Sequence, residues 1–168
     1  MHIEVLDAIE FGSRFDNPPH RDNPCQAQTA SSETRGRGQK ILVVDDSLAW
    51  LRLAREILTA GGYEVHPCEH PPDALSLLKE NSQQFDLVIT DLQMPYLDGI
   101  DLAAKLLKIN PGLPVLLTSA AILQMPSEKL QCLGIRDFLI KPWDRKQLFS
   151  VIRQALASKQ SRDEASKN

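Results

Sequence analysis

The sequence predicts a doubly wound α/β domain, a parallel five-stranded sheet with helices on both faces. Three features carry that expectation. Short apolar runs such as ILVV (41–44) and PVLLTS (114–119) are rich in β-branched and aliphatic residues and too short to be helices. Stretches with apolar residues at helical spacing stand between them. The runs are apolar at successive rather than alternate positions, so both faces of each strand need cover, as in a parallel sheet.

The first strand is ILVV. Ser47 to Ala60 (SLAWLRLAREILTA) follows as a helix on which Leu48, Leu51, Ala54 and Leu58 share a face, and Gly61-Gly62 stops it. YEVHPC (63–68) is a less apolar second strand. Its proline cannot donate to a ladder, which places the strand at an edge. Pro71-Pro72 opens a second helix over Asp73 to Glu80. FDLVIT (85–90) is the third strand. Ile100 to Ile109 is the third helix, closed by Asn110-Pro111-Gly112, and PVLLTS is the fourth strand. A weaker fourth helix is expected around Ser127 to Leu133, after Pro126. DFLIK (137–141) is the fifth strand. Asp144 to Ala157 is the fifth helix, with Leu148, Val151, Ile152, Ala155 and Leu156 on one side. Five strands alternating with five helices fit a flavodoxin-like sheet of order 2-1-3-4-5.

The domain is expected over Lys40 to Ala157. Residues 1–39 read as an N-terminal tail and disordered linker, because Asp16 to Gln39 contains no Val, Ile, Leu, Met, Phe, Trp or Tyr with which to build a core. Ile3, Leu6 and Ile9 have near-helical spacing, but the first fifteen residues are read as a frayed tail. Residues 158–168 (SKQSRDEASKN) form a polar C-terminal tail.

Composition narrows the function. Of 168 residues, 42% are hydrophobic and 24% charged, as in a soluble globular protein. A net charge of −3 offers no basic field to nucleic acid, and no helix-turn-helix or other output domain is expected. No run approaches the roughly 20 apolar residues that span a bilayer, and the N-terminus lacks the basic start of a secretory signal. Cys25, Cys68 and Cys132 match no disulfide framework or metal knuckle, which points to a reducing, cytoplasmic setting.

In a doubly wound sheet, ligands bind at the carboxyl ends of the strands, where the strand order reverses. Strand 1 ends in Asp45-Asp46, strand 3 in Asp91, strand 4 in Thr118-Ser119 and strand 5 in Lys141-Pro142. Taken singly, these residues have ordinary readings: a helix N-cap, an Asx-turn, a strand hydroxyl and a solvated lysine. Together on one rim they form a set of hard oxygens with one fixed cation. Converging carboxylates must take up protons or share a cation, and an oxygen-only set suits Mg2+ or Mn2+ better than Zn2+. A carboxylate nucleophile, a divalent cation, a lysine and a hydroxyl can hold a phosphoryl group on an aspartate.

The stretches ILVVDD, DLVITDLQMPYLDGIDL, LLTS and FLIKPW resemble those of response regulator receiver domains, over nearly all of Lys40 to Ala157. The second is the most specific, with Met94-Pro95 and Asp98-Gly99 at the family's spacing after Asp91. The resemblance implies that Asp91 is the phospho-acceptor. Asp46, Asp91 and the backbone carbonyl of Gln93 would bind Mg2+, with Asp45 helping through water. Thr118 and Lys141 would hold phosphoryl oxygens, Phe138 would be the switch aromatic, and Lys141-Pro142 would be a cis bond. Ser119 stands where the family usually has Ala or Gly, and Gln93 and Ala120 stand where it tunes phosphate lifetime. Trp143 is read as packing at the start of the last helix. The partners implied are a sensor histidine kinase or histidine phosphotransfer protein and a downstream protein target, with a homodimer left open. Such a domain is not an enzyme beyond slow self-dephosphorylation.

Three alternatives stand beside this reading. A receiver-like module that binds protein without phosphorylation would tolerate loss of one site residue, and none is lost. A phosphatase of the haloacid dehalogenase type needs a second Asp two residues after the nucleophile, where Gln93 stands. A flavin-binding flavodoxin is disfavoured by the acidic loop after strand 1, which would repel the cofactor phosphate.

Overall fold

The computed structural model describes residues 36–121, 130 and 132–165. The elements are β1 (Lys40–Val44), α1 (Leu48–Ala60), β2 (Glu64–Cys68), α2 (Pro71–Glu80), β3 (Leu87–Asp91), α3 (Gly99–Ile109), β4 (Val115–Ser119), β5 (Ile135–Ile140) and α4 (Arg145–Ala165). The five strands form one sheet in the order β2-β1-β3-β4-β5, with every pair parallel. The predicted strand order and the edge position of the proline-bearing strand are both found.

The helix count is corrected. Four helices, not five, are present among the described residues. Most of the expected helix around Ser127 to Leu133 lies outside those residues. Leu130 and Cys132 are helical, but the chain turns at once through Leu133 and Gly134, the latter at φ 80°. The expected tail and linker, including residues 1–15, also lie outside the described residues except for the last few positions before Lys40.

Side-chain alternation sorts the core into two layers. Ile41, Val43, Leu87, Ile89, Leu116 and Leu139 pack with Leu51, Ala54 and Leu58 of α1 and with Leu148 and Ile152 of α4. Leu42, Val44, Val88, Val115 and Leu117 pack with Ala74 and Leu78 of α2 and with Leu102, Ala103 and Leu106 of α3. Consecutive strand residues face opposite layers, which is why the strands read as unbroken apolar runs.

Two other elements differ from the sequence reading. Leu48 does not share the buried face of α1 and is 52% exposed, since it opens the helix beyond the edge of the core. The last helix runs past Ala157 to Ala165. Lys159 anchors this polar extension, donating to the Phe85 carbonyl at 3.2 Å and pairing with Asp86 at 3.3 Å.

Candidate functional site

The same alternation decides which acids meet. Asp45 continues the series Ile41, Val43, Asp45. Asp91 continues Leu87, Ile89, Asp91, Thr118 follows Leu116, and Lys141 follows Leu139. All four therefore stand on the α1/α4 side of the sheet. Ladder bonds hold the strand ends in line. Asp45 N–H donates to the Cys68 carbonyl (3.1 Å), Leu92 N–H to that of Thr118 (2.7 Å) and Lys141 N–H to that of Ser119 (2.8 Å).

Lys141 joins two of the three acids. Its Nζ donates to Asp45 Oδ2 at 2.5 Å and to Asp91 Oδ1 at 2.6 Å, and its side chain is only 4% exposed. The remaining carboxylate oxygens take backbone N–H groups two residues on, Asp45 Oδ1 from Ser47 (3.0 Å) and Asp91 Oδ2 from Gln93 (2.9 Å). Every oxygen of the pair is thus matched, yet two buried carboxylates share a single ammonium. Burial pushes the Asp45 carboxyl above its ordinary value, against the hydrogen bond and charge of Lys141 and the Ser47 N–H, while Asp91 adds a smaller upward push.

Asp46 has the opposite parity and an exposed side chain. It lines a cavity of about 540 Å³ with His70, Pro71 and Asp73 at the start of α2 and with Pro95 and Tyr96. Among the described residues, no three His, Cys, Asp or Glu side chains form a ready metal cluster. The cation found between the acids is the lysine ammonium, and it engages Asp45 rather than Asp46.

Thr118 is buried beside Asp91, its register partner across β3 and β4. Its hydroxyl donates to the Thr90 carbonyl at 3.4 Å, long for an O–H···O bond. Ser119 Oγ accepts from Ala121 N–H at 3.1 Å, so it fastens the turn after β4. Phe138 is half-buried on the α2/α3 layer. The Lys141-Pro142 bond is cis, as expected.

The sequence reading did not find the reason for Asp98-Gly99. Asp98 caps α3, accepting from Asp101 N–H at 2.8 Å, while Gly99 N–H donates to the Leu92 carbonyl at 2.9 Å. A Cβ on Gly99 would lie 2.2 Å from the Asp91 carbonyl oxygen. The glycine lets the start of α3 press against the backbone that presents Asp91.

A charge-balance prediction follows from this geometry. Asp45→Asn leaves one carboxylate to one ammonium and is expected to raise stability at neutral pH. Because the native Asp45 carboxyl titrates above its unfolded value near 3.8, its penalty is absent below that value and appears as pH rises through the native one. Urea unfolding across that range should show the variant's advantage shrinking in acid. An advantage that grows in acid would contradict the burial of an ionised Asp45.

Fold and rim together define a doubly wound domain with its acid and lysine groups at the strand ends. Residues 41–153 match the family model for the response regulator receiver domain, and the chain belongs to that family. It is 33% identical over 128 residues to the chemotaxis protein CheY of Treponema pallidum, covering 76% of this chain and 89% of that protein. It is 36% identical over 116 residues to the transcriptional regulatory protein GlrR of Escherichia coli, covering 69% of this chain but only 26% of GlrR. The chain thus spans about a quarter of that regulator's length. A crystal structure of a response regulator receiver domain protein from Clostridium thermocellum superposes with a TM-score of 0.68 at 30% identity, covering 73% of this chain and 97% of that one. Receiver domains of this kind are non-catalytic signalling modules of two-component systems. Among the described residues no helix is long and apolar enough to cross a membrane.

Proposed function

We propose that this receiver domain accepts a phosphoryl group on Asp91 from a histidine kinase or histidine phosphotransfer protein, and that the acyl phosphate reshapes a protein-binding surface. The observation that carries the reading is the buried Lys141 ammonium shared by Asp45 and Asp91. Such an amine neutralises charge where a phosphoryl group would sit, and it aims the carboxylate that attacks. In the transfer, an Asp91 oxygen bonds to phosphorus. The phosphorus–nitrogen bond of the donor histidine breaks, and the imidazole leaves with the electron pair.

The residues present fit Mg2+. The available donors are all oxygens, from Asp45, Asp46, Asp91 and the Gln93 backbone carbonyl. The buried pair is also one positive charge short, which suits a hard divalent cation. When bound, Mg2+ would offset the charge on the phosphoryl oxygens during transfer. Asp45 is bonded to the lysine, and Asp46, exposed beside it, would supply a further carboxylate oxygen to such an ion.

Phosphorylation adds roughly −1.5 to −2 charges, by analogy with other phospho-residues. The long bond from Thr118 to Thr90 is a weak tether, so its hydroxyl is readily drawn toward phosphoryl oxygens. Phe138, half-buried, can then repack, and the surface around β5 changes with it.

Incubation with radiolabelled acetyl phosphate and Mg2+ tests the reading. Label is expected on the parent chain, and it should be lost in Asp91→Asn and on chelation of the metal. Undiminished labelling of Asp91→Asn would rule out Asp91 as the acceptor.

A further inference from the structure

Trp50, in the first turn of α1, lies outside the set of residues assigned above, yet its ring faces the Lys141 ammonium, with Nζ 5.1 Å from the ring centroid. Trp143, two residues beyond Lys141, packs on the same ring, the centroids 5.6 Å apart and the planes at 52°. A lysine ammonium carries three N–H donors. Two of them meet Asp45 and Asp91, and the side chain is almost wholly removed from water. An aromatic face is a favourable neighbour for the rest of the cation, because the ring quadrupole presents negative potential to it. The parity of the strands puts the ammonium on the α1/α4 side of the sheet, where the first turn of α1 supplies that face.

We propose that Trp50 is a positioning residue for Lys141. Its ring, buttressed by Trp143, holds the ammonium dehydrated and aimed at the Asp45–Asp91 pair, ready for incoming phosphoryl oxygens. The inference rests on Asp91 being the acceptor. With acetyl phosphate as donor, an Asp91 oxygen bonds to phosphorus, the bond from phosphorus to the acetate oxygen breaks, and acetate leaves with the electron pair. Lys141 gives up no proton and acts by charge alone.

The chain has two tryptophans, so in a Trp143→Phe background biosynthetic fluorotryptophan labels position 50 alone. Initial rates of labelling by acetyl phosphate with Mg2+ are measured for the mono-, di- and trifluorinated chains, with thermal unfolding alongside. Each fluorine weakens the ring's negative face while nearly preserving its shape. The rate is expected to fall stepwise, by roughly tenfold across the series, with the unfolding midpoint unmoved. In the otherwise unaltered chain, Trp50→Phe should keep an intermediate rate, and Trp50→Leu, apolar but without a π face, should be the slowest. A rate indifferent to fluorination, with Trp50→Phe and Trp50→Leu equal, overturns the proposal. Failure of the acceptor assignment looks different, since the parent chain would then take no label on Asp91.

Discussion

Lys141→Ala is expected to destabilise the domain by about 3–5 kcal/mol near neutral pH, because it leaves two buried carboxylates facing each other without a cation. Lys141 is the hub of the strand-end site, bonded to Asp45 and Asp91 at 2.5 and 2.6 Å. Without it, the Asp45 carboxyl, which burial already pushes up, loses the lysine hydrogen bond and charge that oppose the rise. A native pKa raised above the unfolded one gives stability that is complete below the unfolded value and is lost as pH rises through the native value. The difference between variant and parent should therefore shrink toward acid and widen toward neutrality. Urea unfolding at a series of pH values measures it. The same loss at every pH would mean that the lysine stem contributes by packing and that its charge does not. This result and the Asp45→Asn result have opposite signs at neutral pH, as expected where two acids share one amine.

Gly99→Ala is the second large effect. The added methyl carbon would meet the Asp91 carbonyl oxygen at 2.2 Å and the Asp91 carbon and Leu92 Cα at 3.0 Å. All three are backbone atoms of the strand end that presents Asp91, so no flexible side chain can move aside. Overpacking of this kind costs about 3 kcal/mol or more when the neighbours cannot yield. Relief would come from shifting α3 away from β3, which breaks the bond from Gly99 N–H to the Leu92 carbonyl. Lower stability in urea together with slower labelling by acetyl phosphate is expected. A variant as stable as the parent would show that α3 can slide freely against that turn.

Much of this architecture was legible in the chain. ILVV, FDLVIT and PVLLTS declared themselves as buried parallel strands because β-branched and aliphatic residues fill successive positions in short runs. Pro67 declared an edge. The rim residues followed from knowing where strands end. Other features were hidden for physical reasons. The extension of α4 to Ala165 is polar and depends on a tertiary anchor, Lys159 on Phe85 and Asp86, that no local pattern shows. Leu48 has the right spacing for burial but lies beyond the edge of the core that would bury it.

The distinction between Asp45 and Asp46 was within reach. Period-two alternation from Ile41 and Val43 puts Asp45 with Asp91, Thr118 and Lys141, and Asp46 with the other layer. Trp50 and Gly99 were harder. A tryptophan in an amphipathic helix and a glycine after a helix cap both have ordinary readings until the lysine and the Asp91 carbonyl are seen against them.

The most direct test of the phospho-acceptor assignment is chemical trapping. The chain is phosphorylated with acetyl phosphate and Mg2+, reduced with borohydride, digested and mapped by mass spectrometry. Reduction of an acyl phosphate converts the acceptor aspartate to homoserine. Conversion confined to Asp91 is the expected result. Conversion at Asp45 or Asp46, or an intact Asp91 in a chain that carries label elsewhere, would contradict it.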